Sequence, residues 1–151
     1  MFDKKIKDEF WTTFGKYMAL HPSASGEKVN WINYKTGVKL VQFRLEVNEK
    51  KAGIYIELLT PELSAQKKLF DQLTRDINLL IGYTDSNWQS ELQLITPEGK
   101  IISRIFQERP DVNVFFKSDW PAIISFLKFE LVGLDKFWIE RKDLYAFIAD
   151  S

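Results

Sequence analysis

The stretch VQFRLEVNEKKAGIYIEL, from Val41 to Leu58, constrains the fold more than any other part of the chain. On its first arm Val41, Phe43, Leu45 and Val47 alternate with Gln42, Arg44 and Glu46. On its second arm Ala52, Ile54, Ile56 and Leu58 fall at every other position. A period of two marks a half-buried strand. With Glu49 and Lys50 at the centre of a two-residue turn, Val47 faces Ala52, Leu45 faces Ile54, Phe43 faces Ile56 and Val41 faces Leu58. Every pair is apolar, and a slip of one residue would turn the whole set to water, so the register is well specified. The opposite face collects Gln42, Arg44, Glu46, Tyr55 and Glu57.

The flanking segments carry the helical period. Phe2, Ile6, Phe10, Phe14 and Met18 recur at steps of four, with Trp11 beside them, which predicts an amphipathic helix over residues 2–20. HPSASGEK then reads as an exposed loop. Thr60-Pro61-Glu62 supplies a capping hydroxyl, a proline at the first helical position and an early carboxylate, so a helix is expected from there to near Gly82, burying Leu69, Phe70, Leu73, Ile77 and Leu80. WQSELQLIT and KIISRIFQE straddle the turn TPEGK and predict a second hairpin. Ser118 is placed to cap a last helix in which Trp120, Ile124, Leu127, Leu131, Leu134 and Trp138 repeat at three or four residues; Val132-Gly133 is the point where it would kink or split. The order helix, hairpin, helix, hairpin, helix predicts an α+β fold with helices on one face of a mostly antiparallel sheet. No linker or repeat interrupts residues 1–151, so one domain is expected.

Composition removes several chemistries. Lysine and arginine number 21, as do aspartate and glutamate, so the global basic field of a non-specific nucleic-acid binder is missing. There is no cysteine and one histidine, His21, which leaves no thiol chemistry, no histidine metal cluster and no ready triad; neither a cofactor nor a metal is expected. No stretch approaches a membrane span, and the charged opening MFDKKIKDEF lacks the apolar core of a signal peptide, so a cytoplasmic protein is expected. The glycine-rich phosphate loop, the dinucleotide fingerprint and the Gly-x-Ser-x-Gly elbow are all missing.

What remains is carboxylates, lysines, arginines and an aromatic supply of 15%. Glu46 and Glu57 with Lys51 are the residues a divergent magnesium-dependent, restriction-like nuclease would use, since a hard cation takes oxygen ligands. Leu59 stands where such a site expects a lysine, and the competing expectation is that Glu57 pairs diagonally with Arg44. The second candidate is a ligand-binding edge built from Tyr34, Lys35, Lys39, Arg44 and Tyr55, where cations and aromatics interleave; lysines flanking a hairpin also serve to blunt a sheet edge. Arg104 adds a third anion-binding candidate, with Glu91 as its expected cross-strand partner. In NWINYKTGVK, Thr36-Gly37 reads as a turn feeding the strand. Trp31 is expected to be covered, Asn30 to satisfy turn backbone, and Tyr34, Lys35 and Lys39 to stay reachable from solvent. Asp135 is expected at the surface or in the first turn of a helix.

Six blocks in one order, WTTFGKYM, NWINYKTGVK, KKAGIYIEL, ISRIF, DWPAIISFLK and LDKFW, resemble the bacterial domain-of-unknown-function family 4268 over nearly the whole chain. The resemblance implies a small standalone bacterial protein, related to longer ones that carry a restriction-endonuclease-like region upstream. It implies no activity and no catalytic residue. The expected function is a non-enzymatic binding or accessory module in a nucleic-acid-processing or defence system. The alternatives are the divergent nuclease and a protein-binding adaptor or homodimer.

Overall fold

The structure is a computed structural model, and it describes residues 2–151. The first helix, α1, is Phe2–Met18. Phe10, Phe14 and Met18 are its buried stripe, and the Phe10 ring meets the edge of Trp120 at 5.4 Å. The side chain of Phe2, which would open that stripe, lies outside the described residues.

Strand β1 (Val41–Val47) and strand β2 (Lys51–Leu58) form the predicted hairpin in the predicted register, Val41 opposite Leu58 through Val47 opposite Ala52. The Asn48 side chain caps the turn by accepting from the N–H groups of Lys50 and Lys51 at 2.8 and 3.0 Å. The helix expected to run unbroken from Thr60 is two helices, α2 (Leu63–Arg75) and α3 (Ile77–Thr84), divided at Asp76. Its cap is Glu62 rather than Thr60: the carboxylate accepts from the N–H groups of Ser64 and Ala65 at 3.1 and 2.8 Å. Those bonds satisfy donors a helix start leaves free. The bond from the Ser64 hydroxyl, first, and the two backbone bonds hold the Glu62 carboxyl below its ordinary range.

Strand β3 (Gln89–Ile95) and strand β4 (Ile101–Pro110) form the second hairpin, with Gly99 at φ 84° in its turn. β4 inserts between β2 and β3, so the sheet runs β1-β2-β4-β3, antiparallel throughout. A short 3-10 turn (Lys117–Asp119) leads into α4 (Trp120–Asp150), which runs 31 residues without a break. Gly133 does not split it. A Cβ there would come within 2.5 Å of the Tyr83 carbonyl oxygen and 2.8 Å of the Thr84 methyl, so the glycine is the notch that lets α3 approach α4.

α2 and α4 cover one face of the sheet, and α1 and α3 pack against α4. Phe43, Ile54, Ile56 and Ile105 of the sheet meet Leu69, Leu73, Leu127, Leu131 and Trp138 in one buried cluster. A buried polar clasp joins the layers: the Ser103 hydroxyl donates to Gln66 Oε1 at 2.5 Å, and the Gln66 amide donates to the carbonyls of Thr60 and Ile101. The other face of the sheet is left open by the helices.

Candidate binding face

Strand alternation and the observed register build the open face row by row. At the end where β1 begins stand Leu40, Leu59 and Ile102. Next come Gln42, Glu57, Arg104 and Glu91, then Arg44, Tyr55, Phe106 and Gln89, then Glu46, Gly53 and Glu108.

Tyr55 is the centre of this face and is fully buried there. The Arg44 guanidinium carbon lies 4.3 Å from its ring centre and that of Arg104 lies 5.1 Å away. Phe106 stacks beside it at 5.5 Å. Its ring folds back over Gly53, where a Cβ would lie 2.5 Å from the phenol oxygen, so the strand needs glycine at that position. The phenol donates to Glu108, which also takes the Lys51 ammonium at 2.6 Å. Burial, and then the Glu108 carboxylate, push the Tyr55 phenol well above its usual value. Burial alone would raise Glu108, but the hydrogen bonds from Lys51 and Tyr55 outweigh it and hold that carboxyl low.

Arg44 donates through Nε to Glu57 at 3.0 Å and reaches Glu46 at 3.5 Å. Gln42 donates to the other Glu57 oxygen at 2.7 Å. Arg104 donates through Nε and Nη2 to Glu91 at 2.9 and 2.6 Å. Both ion pairs expected of the sheet are therefore present. Arg44 Nη2 and Arg104 Nη1 have no hydrogen-bond partner among the described residues. The face thus offers two guanidinium edges, clamped by stacking and by carboxylates, to an incoming anion. Three cations (Arg44, Lys51, Arg104) stand against four carboxylates (Glu46, Glu57, Glu91, Glu108), so the face as a whole is slightly acidic.

Beside the charged rows the sheet end is apolar. Leu40, Leu59, Pro61, Leu63, Ile101 and Ile102 line a groove of about 590 Å³, with Lys100 at its rim. Ten large apolar side chains are exposed among the described residues, and four of them, Leu40, Leu63, Ile95 and Ile101, gather here; Ile95 is 71% exposed. Leu40 is held out at φ 64°, a conformation that costs a side-chain-bearing residue energy. No sequence pattern singled out this groove. Leu40 and Leu63 lie outside the periodic stripes, and the only sequence signal was their apolar character in loop and cap positions.

Of the expected ligand residues, Arg44, Tyr55 and Arg104 come together on the open face. Tyr34, Lys35 and Lys39 do not join them. The Tyr34 ring stacks on Phe43 at 5.1 Å and its hydroxyl donates to Asp135 at 2.6 Å. Burial and then Asp135 raise the Tyr34 phenol well above its usual value. Lys35 and Lys39 are exposed on the connecting loop. Glu46 and Glu57 share the open face but both are engaged by Arg44, and Lys51 is engaged by Glu108. No group of three histidine or carboxylate side chains among the described residues is arranged to hold a metal ion.

Asp135 is not at the surface as expected: it is 1% exposed. It accepts from the Ser23 hydroxyl at 2.9 Å, the Ala24 N–H at 2.7 Å and the Tyr34 hydroxyl, fastening the loop after α1 to α4. Trp31 is buried, with its indole N–H on the His21 carbonyl at 2.9 Å, and Asn30 accepts from the N–H groups of Ile32 and Asn33.

No described helix is long and apolar enough to cross a membrane. No curated protein and no solved structure matches the chain. The family model described as Domain of unknown function (DUF4268) matches residues 6–142, so the chain belongs to that family.

Proposed function

We propose that this chain is a non-enzymatic protein-binding module, an adaptor that docks a segment of another protein on the open sheet face. The observation that carries the reading is that two complementary zones adjoin: an apolar groove of about 590 Å³ at the end of the sheet and, one and two rows in from that end on the open face, the clamped Arg104 and Arg44 with N–H groups to spare. Contiguous exposed apolar surface rimmed by polar groups is the usual mark of a protein interface. A partner segment would place apolar side chains between Leu40, Leu63 and Ile101 and a carboxylate against Arg44 and Arg104. A nucleic acid is the weaker fit to this face, because its carboxylates outnumber its cations and its aromatic rings are already covered by guanidinium groups. The lack of cysteine suits a reducing compartment. An accessory role in a bacterial, cytoplasmic nucleic-acid-processing or defence system is the proposed setting.

The test is the double substitution Leu63→Asp/Ile101→Asp, which puts two charges in the groove at positions already open to solvent. Immobilised parent protein is expected to retain a defined partner from extract of the cells that produce it, and the variant to lose it. Sedimentation of the purified parent separates a foreign partner from a second copy of the chain. Equal recovery on parent and variant, with both monomeric, would remove this surface from consideration.

A further inference from the structure

On the opposite side of the molecule a groove of about 330 Å³ runs between the end of α1, the end of α3 and the outer face of α4. Tyr17 and Tyr83 form its walls, and Phe129, Lys128 and Lys136 of α4 line it. The Lys128 ammonium sits 5.3 Å from the Tyr17 ring centre and donates to its hydroxyl at 3.3 Å. The His21 imidazole flanks the same ring at 5.7 Å. Tyr17 and Phe129 are both exposed, Phe129 by 54%. Neither Lys128 nor Lys136 is in an ion pair with a described carboxylate, whereas Arg44, Lys51 and Arg104 of the sheet are. Glu140, four residues on from Lys136 along α4, accepts a hydrogen bond from Tyr83 at 3.1 Å.

We infer that this groove is a binding site for single-stranded nucleic acid, with bases stacking on Phe129 and phosphates held by Lys128 and Lys136. The two lysines are eight residues apart on one helix, a rise of about 12 Å, and Phe129 adjoins the first of them, so in chain order a ring stands between two cations on the helix that lines the groove. That alternation is what a strand presents in reverse, phosphates outside and bases able to splay onto aromatic faces. A surface with unneutralised cations beside exposed rings suits a phosphate-bearing ligand better than an apolar one. Gly133 at its floor cannot grow a side chain without striking α3, so the channel keeps its depth. The inference does not depend on the protein-docking reading, which concerns the other face and other residues.

The experiment follows the anisotropy of a labelled oligothymidylate at low salt and across a salt series. It compares the parent with Lys128→Ala/Lys136→Ala, Phe129→Ala and, as a charge-matched control on another face, Lys4→Ala/Lys5→Ala. Binding by the parent is expected, with a logarithmic salt slope reduced by about 1.4 in the Lys128/Lys136 variant, at about 0.7 per phosphate contact on a single strand. Phe129→Ala is expected to weaken binding roughly 5- to 150-fold without changing that slope, since stacking carries no counterion release. Thermal melts of all variants check that the fold is kept. Absence of binding by the parent at low salt, or equal weakening by the control pair, would overturn the inference. Thymidine monophosphate displacing the strand at equal concentration would also do so, since it would make the site one for a free nucleotide.

Discussion

Burial raises the Glu130 carboxyl in the folded state, and Glu130→Gln should reveal the cost of ionising it. The residue is 4% exposed in the middle of α4. Its Oε1 lies 2.5 Å from the Ser86 hydroxyl, and its Oε2 is buried without a hydrogen-bond partner. The same Ser86 hydroxyl is 2.9 Å from the Thr84 carbonyl. A hydroxyl has one proton to give and a carbonyl can only accept. Ser86 therefore shares its one proton between the Thr84 carbonyl and Glu130 Oε1, and the Glu130 carboxyl is only weakly satisfied in its buried site. Burial pushes the Glu130 carboxyl upward, against the opposing pull of Ser86. The sign follows from linkage. A folded-state value raised above the unfolded one contributes stability that is fully present below the ordinary glutamate range. That stability is lost as pH rises through the raised value. Leaving a buried polar oxygen unpaired costs about 1–3 kcal/mol, and more once it is charged. The glutamine variant keeps the shape, offers its own N–H to Ser86 and cannot ionise. It should therefore gain on the parent by about 1–2 kcal/mol between mildly acidic and mildly alkaline pH, which is roughly 2–8 °C in Tm for a chain of this length. Thermal melts of both proteins at half-unit steps from pH 4 to pH 9 give the difference curve, in which the other carboxylates cancel. A flat difference, or one that moves in the parent's favour with rising pH, would show that burial does not raise the Glu130 carboxyl in the fold.

Two further substitutions probe the framework. Phe43→Ala should cost about 3–5 kcal/mol, because the ring fills the space between Tyr34 and Trp138; an unchanged urea midpoint would contradict that. Asp135→Ala should cost at least about 2 kcal/mol by orphaning the donors of Ser23, Ala24 and Tyr34, and should speed tryptic cleavage at Lys28; a loop as protected as the parent's would mean that the clasp does not hold it.

The parts of the fold that could be read from the chain are those that local chemistry decides. The first hairpin was legible to the residue because its apolar pairs and its turn lie within eighteen positions of one another. Arg104 with Glu91, and Arg44 with Glu57, follow from the same alternation. The insertion of β4 between β2 and β3 was not legible, since either hairpin edge offers the same backbone groups to the other. Asp135 was misplaced for a related reason. Its partners Ser23 and Tyr34 are 112 and 101 residues away, and nothing in LDKFW distinguishes an acid that caps a distant loop from one that faces water. The cap at Glu62 was missed because Thr60 and Pro61 match a common helix start, and the proline was read as the first helical residue rather than as the approach to it. Binding residues sorted by the same logic. Arg44, Tyr55 and Arg104 share a strand face and were brought together by register, whereas Tyr34 was drawn away by Asp135 and the Phe43 ring.

The two-layer construction explains why two unlike surfaces can coexist on so small a chain. α4 turns Leu127, Leu131, Leu134 and Trp138 into the core. Ser125, Phe129, Val132 and Lys136 are thereby left on its outer side, with α1 and α3 as walls. The sheet turns Phe43, Ile54, Ile56 and Ile105 inward and presents Arg44, Tyr55 and Arg104 on its far side. The same helix and the same sheet therefore each supply half of one core and the floor of one external surface, and those surfaces point in opposite directions. A ligand on one side would not block the other. On the two proposals above, a protein partner and a nucleic-acid strand would occupy opposite sides of the molecule, with affinity set on each face by different residues and open to separate substitution.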